Sequence, residues 1–153
     1  MKVREMMTTN LITVTEEKTL REVIQLMLEK NISGIPVVDG NGKLEGIVSE
    51  WDVIRLKRKL HLPDYIQLLE AMLNNAHPEE FDTDIARSLE LLVKDFMTKK
   101  VITVTENTSM AEVTRLMVEH KINRIPVVRG DKLIGIVTRR DAIQAMGKNL
   151  GTQ

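Results

Sequence analysis

The 153-residue chain contains no cysteine, which excludes a disulfide framework, a thiol nucleophile, thiolate zinc sites and cysteine-ligated clusters. Aromatic residues are almost missing as well. Trp51, Tyr65, Phe81 and Phe96 are the whole supply, too few flat faces for a stacking platform along single-stranded nucleic acid. Neither sign of charge is in excess: 22 basic and 22 acidic residues cancel, so bulk electrostatics draws the chain to neither nucleic acid nor an anionic membrane surface. No run of about 18 apolar residues occurs, and the opening MKVREMMTTN is charged from its second residue and has no apolar h-region. These absences predict a cytoplasmic protein with no direct nucleic-acid or membrane partner. A hydrophobic content of 42% is enough for a core of about one domain at this length.

The strongest positive feature is an internal repeat. Sliding the chain by 90 residues places VREMMT at 3–8 over VKDFMT at 93–98, ITVTE at 12–16 over 102–106, and IPVV at 35–38 over 125–128. From Met7 to Gly40, 18 of 34 aligned positions are identical, where composition alone gives about one in fifteen, so the chain is a duplication. After Gly40 the second copy is one residue shorter, and Gly46-Ile47-Val48-Ser49-x-x-Asp52 then aligns with Gly135-Ile136-Val137-Thr138-x-x-Asp141. The missing residue falls between Asp39-Gly40-Asn41-Gly42 and Arg129-Gly130-Asp131, both rich in residues that tolerate positive φ. Each predicts the tip of a β-hairpin.

Periodicity changes three times within a copy. Ile12 to Val14 reads as a short β-branched strand. Thr19-Leu20-Arg21-Glu22 has capping-box spacing, and Leu20, Val23, Met27 and Leu28 recur behind it at helical spacing. Ser109-Met110-Ala111-Glu112 repeats the signal ahead of Val113, Leu116 and Met117. Residues 35–38 and 44–48 are hairpin strands, and a second helix opens at Ser49 or Thr138. The predicted fold class is α/β: two β-α-β-β-α repeats, each with a short helical lead-in, packed about a pseudo-twofold axis with the natural ligand cleft between them. The boundaries are 1–57 for the first repeat, 58–92 for a spacer and 93–148 for the second repeat. Pro63 starts one spacer helix through Leu73, His77-Pro78 breaks it, and another runs past Ile85 and Leu89. Residues 61–93 hold seven acids against Arg87. The rest of a neutral chain therefore carries six excess positive charges, which suits an anionic ligand.

Met-Thr followed by Ile-Thr-Val, the Ile-Pro-Val-Val strand and Gly-Ile-Val-Ser/Thr-x-x-Asp occur twice, in order. Together they resemble the cystathionine β-synthase (CBS) domain in the tandem arrangement called a Bateman module. The resemblance covers nearly the whole chain apart from the acidic spacer. It implies a regulatory module that binds AMP, ADP, ATP or S-adenosylmethionine, requires no cofactor, pairs into a homodimer and signals to a regulated protein partner. It also implies that Ser49 with Asp52, and Thr138 with Asp141, hydrogen-bond a ribose and its neighbouring phosphate. The chemistry is suitable, because a carboxylate accepts from both vicinal hydroxyls and a helix N-terminus favours phosphate. The same spacing is also a helix cap that stabilises by about 1 kcal/mol with no ligand.

The copies differ in charge. The second has Arg139 and Arg140 inside its turn and Arg124 before Ile125-Pro126; the first has Glu50, Trp51 and Gly34 there. Guanidinium groups grip phosphate, whereas Glu50 repels it, so the stronger site is expected at Thr138 and Asp141. In the family the first strand and its flanks supply an adenine slot. The matching residues are Ile102, Thr103, Val104, Ile125, Pro126 and Ile136, and in the first copy Ile12, Thr13, Val14, Ile35, Pro36 and Ile47. Most of these side chains serve equally well as plain core.

An enzyme is not expected. His61, His77 and His120 share no ligand spacing, and neither a Walker loop nor a Gly-x-Ser-x-Gly elbow is present. The alternative to a ligand sensor is an interaction and dimerisation scaffold whose clefts bind no nucleotide.

Overall fold

The computed structural model describes residues 1–60 and 87–151. The expected helix from Pro63 to Leu73 and its break at His77-Pro78 lie outside them. A 3-10 turn at Val3–Glu5 leads into α1 (Leu20–Glu29), β1 (Gly34–Val38), β2 (Leu44–Ser49) and α2 (Glu50–Leu60). The second copy repeats the order with α3 (Val93–Phe96), α4 (Met110–His120), β3 (Arg124–Arg129), β4 (Lys132–Thr138) and α5 (Arg139–Asn149). The mixed α/β class and the two repeats are those expected from the sequence.

The start signals work as helix caps. Thr19 Oγ1 accepts from the Glu22 amide at 3.2 Å, and Ser109 Oγ accepts from the Glu112 amide at 3.1 Å, each satisfying one orphan N–H of the first turn. Behind the caps α1 buries Leu20, Val23, Ile24 and Met27, and α4 buries Met110, Val113 and Met117. Leu28 and Leu116 pack only partly. Both helices end where the backbone turns left-handed, at Asn31 and Lys121.

β1 pairs with β2, and β3 with β4. Gly42 and Gly130, at φ of 84° and 65°, allow the tight turns. The strand expected at Ile12 to Val14 is reduced to one parallel bridge, Val14 to Val37, and its repeat to Val104 with Val127. Each of these valines donates to a proline carbonyl, Val14 to Pro36 and Val104 to Pro126, both at 3.1 Å. Proline in the strand leaves its carbonyl available but supplies no N–H, so the neighbouring segment touches the strand only briefly.

The compact units are cut differently from the sequence repeats. One comprises Met1–Ile12, Gly40–Leu44 and Lys100–Gln153; the other comprises Thr13–Asp39 and Glu45–Lys99. Each lead-in thus packs on the body of the other copy. In the first unit Val3 is fully buried with Val104, Val113 and Ile125, and its amide donates to the Thr108 carbonyl at 2.8 Å. In the second, Val93 is fully buried with Leu20, Val23 and Ile35, and its amide donates to Lys18 at 2.8 Å.

This exchange explains why Met-Thr and Gly-Ile-Val occur together. Thr98 and Ile47 exchange backbone hydrogen bonds at 2.9 and 3.0 Å, and Thr8 and Ile136 do the same. The lead-in then lies directly against a strand glycine. A Cβ on Gly46 would stand 2.6 Å from the Thr98 carbonyl oxygen, and one on Gly135 would stand 2.8 Å from Met7 Sδ. At Gly46, where the neighbour is backbone, only a residue without a side chain fits such an approach.

Candidate functional site

The turn from β4 into α5 is a reciprocal cap. The Thr138 amide and hydroxyl donate to Asp141 Oδ2 at 2.8 and 3.1 Å, while the Asp141 amide points back at Thr138 Oγ1 at 3.4 Å. Capping therefore consumes one carboxylate oxygen. Asp141 Oδ1 receives no hydrogen bond from the described residues, and the side chain is half-buried.

The hairpin gathers other candidates around this oxygen's turn. Arg124 pairs with Thr138 across the ladder, Ile125 with Val137, and Pro126 with Ile136, while the Arg139 amide donates to the Asn123 carbonyl at 2.8 Å. Arg139 and Arg140 open α5 with exposed side chains that form no ion pair among the described residues. Arg124 is half-buried and engaged with the protein. Cationic side chains beside the first amides of a helix form an anion-attracting surface.

The proposed apolar residues divide by burial. Val104 and Ile125 lie in the core, Pro126 is buried, Ile102 and Ile136 are half-buried, and Thr103 is exposed. In the first copy Ile35 and Pro36 are buried and Thr13 is exposed. The buried members contribute packing and backbone, whereas Ile102, Thr103, Ile136 and Thr13 retain accessible surface.

The first copy caps α2 in the same way: the Ser49 amide and hydroxyl donate to Asp52 Oδ2 at 2.8 and 3.2 Å. Its second oxygen differs. Asp52 Oδ1 accepts from Thr98 Oγ1 and from Arg55 Nη2, both at 3.0 Å, and the residue is 6% exposed. Thr98 and Arg55 are the residues that reading the sequence missed. Arg55 has a local signal, an i,i+3 spacing from Asp52. Thr98 has only the duplicated Met-Thr, whose partner lies across the chain. Among the described residues no group of acids and histidines could hold a metal ion, and no helix is long and apolar enough to cross a membrane.

The described residues thus form two α/β units, each with a helix capped by a hydroxyl-carboxylate turn. The CBS domain model matches residues 3–59 and 93–148, and the chain belongs to the CBS-domain family. It is 40% identical over 143 residues to an uncharacterized protein of Methanocaldococcus jannaschii, covering 88% of this chain and 85% of that protein. It is 32% identical over 146 residues to the chloroplastic CBS domain-containing protein CBSX2 of Arabidopsis thaliana, covering 89% of this chain and 58% of that protein. A crystal structure of CBSX2 in complex with AMP matches with a TM-score of 0.73 at 28% identity, covering 97% of each chain. The CBS domain of a CBS domain-containing membrane protein from Sphaerobacter thermophilus matches with a TM-score of 0.73 at 35% identity, covering 94% of this chain and 86% of that one.

Proposed function

We propose that this chain is a non-catalytic regulatory module that binds an adenosine-containing ligand, AMP, ADP, ATP or S-adenosylmethionine, at the turn that begins α5. The observation that carries this reading is Asp141 Oδ1, to which no described residue donates. Its twin oxygen already caps the helix, so accepting from a ribose hydroxyl costs the fold nothing. Thr138 frames the turn, and Arg139 and Arg140 supply charge for a phosphate. Arg124 lies across the hairpin from Thr138. The accessible edges of Ile102, Thr103 and Ile136 provide the base with an apolar border. CBSX2 crystallised with AMP supports the choice of ligand class.

Ligand binding acts as regulation only if two arrangements of the module differ in affinity, and a protein partner then reads the shifted population. The partner surface we favour first is a second copy of the chain. α5 exposes Ile143 and Met146 and is followed by exposed Leu150, while α4 exposes Val118; Leu150 is 80% and Val118 74% accessible. Apolar side chains recurring at helical spacing on an outer face mark an interaction site. The proposed working form is a cytoplasmic homodimer.

Isothermal titration with AMP, ATP and S-adenosylmethionine tests the ligand: one adenosine compound binds the wild type, and Asp141→Ala weakens it. Light scattering tests the dimer, because Ile143→Lys then shifts the mass to that of one chain. Failure of all three compounds to bind would favour the second reading, a scaffold built on the apolar faces alone.

A further inference from the structure

Asp52 and Asp141 occupy equivalent turns, but among the described residues only Asp141 keeps an oxygen without a donor. A carboxylate oxygen has room for about two donors, and Asp52 Oδ1 has both, Thr98 Oγ1 and Arg55 Nη2 at 3.0 Å each. The two donors are held very differently. Thr98 is fixed by its backbone exchange with Ile47. Arg55 is a long side chain, 70% exposed beside an acid that is 5% exposed, and among the described residues its ion pair with Asp52 is its only one. A vicinal diol can reach Asp52 Oδ1 only by displacing a donor, and Arg55 is the one that can leave. At the equivalent place on α5 the second copy has Gln144, which is neutral, exposed and makes no hydrogen bond to Asp141.

Resting on the ribose reading of these turns, we propose that Arg55 closes the first half-site. Its guanidinium takes the donor position that a ligand diol would need, so an adenosine-type ligand fills the Asp141 turn and competes poorly for the Asp52 turn. The guanidinium end of the ion pair is 70% exposed, so water competes for it and it acts as a competitor rather than a permanent block. Arg55→Gln gives the first copy the residue that the second already has.

The test titrates full-length wild type, Arg55→Gln, Asp141→Ala and the double variant with AMP, ATP and S-adenosylmethionine, each by calorimetry. In the Asp141→Ala background, where only the first turn is left, Arg55→Gln should tighten the bound compound by roughly five- to tenfold. On its own, Arg55→Gln should add a second binding event per chain, which keeps the test intact if Asp141→Ala fails to fold. Unchanged binding would overturn the proposal, and so would weaker binding, because Arg55 would then be gripping the ligand. If none of the three compounds binds any of the four proteins, the adenosine reading itself falls and the role of Arg55 falls with it.

Discussion

Asp52 and Asp141 stand at the same position in two copies of one unit, and each spends Oδ2 on capping the helix it begins. In the first copy Oδ1 is filled by Thr98 and Arg55; in the second no described residue donates to it. One motif thus caps a helix in both copies and, among the described residues, leaves an acceptor oxygen unfilled in one. A spacing pattern in the sequence therefore does not distinguish cap from ligand site. The difference lies in what else donates to the carboxylate: Thr98 and Arg55 both reach Asp52 Oδ1, whereas among the described residues their counterparts in the second copy, Thr8 and Gln144, make no bond to Asp141.

Removing the carboxylates should break the comparison most strongly. Asp141→Ala should cost about 1.5–3 kcal/mol of ligand binding, the range for hydrogen bonds to a charged group, whereas Asp52→Ala should cost little binding but, in stability, both its cap and the bonds from Thr98 and Arg55. Calorimetric titration of the two variants checks this. A smaller contrast concerns the strand glycines. Gly46→Ala forces a Cβ to 2.6 Å from the rigid Thr98 carbonyl, while Gly135→Ala meets first the movable end of Met7. Overpacking of this kind costs about 1–3 kcal/mol, so denaturant melts should show Gly46→Ala well below Gly135→Ala.

The helix ends sharpen the comparison further. Asn31 and Lys121 hold equivalent left-handed positions, but asparagine tolerates that region and lysine is strained there. Lys121→Gly should stabilise by roughly 0.5–1 kcal/mol, and Asn31→Gly by less, measured by thermal unfolding. The smallest effect concerns pH. The Arg115 guanidinium beside Glu112 holds its carboxyl below its ordinary value of 4.5. A carboxyl lowered in the folded state stabilises at pH above its unfolded value and loses that contribution as pH falls through the folded one. The small advantage of wild type over Glu112→Gln should therefore be present at neutral pH and fade on acidification below about 4.5, as followed by melts across that range.

Much of the fold was legible because the chain states it twice. Thr19 and Ser109 announce their helices by spacing, and Gly42 and Gly130 mark the hairpin tips. The exchange of lead-ins was not legible, since Val3 and Val93 look alike and a duplicated sequence is silent on which copy of a segment packs on which body. The strand expected at Ile12 to Val14 shrank to a single bridge because its neighbour, Pro36, has no N–H to offer. At the candidate site the hydroxyl-carboxylate pairs were readable from spacing, while the occupant of Asp52 Oδ1 was not. Thr98 lies 46 residues from Asp52 and reaches it only through the exchanged lead-in.

The most direct measurement is a thermal-shift panel of AMP, ADP, ATP and S-adenosylmethionine, with GTP as control, on wild type and Asp141→Ala side by side. A ligand at about 100 times its dissociation constant adds about 2.7 kcal/mol. An adenine-selective upward shift in the wild type that is lost or strongly reduced in Asp141→Ala is the expected result. No shift with any adenosine compound, or an equal shift in both proteins, would contradict a ligand held by the open oxygen of Asp141.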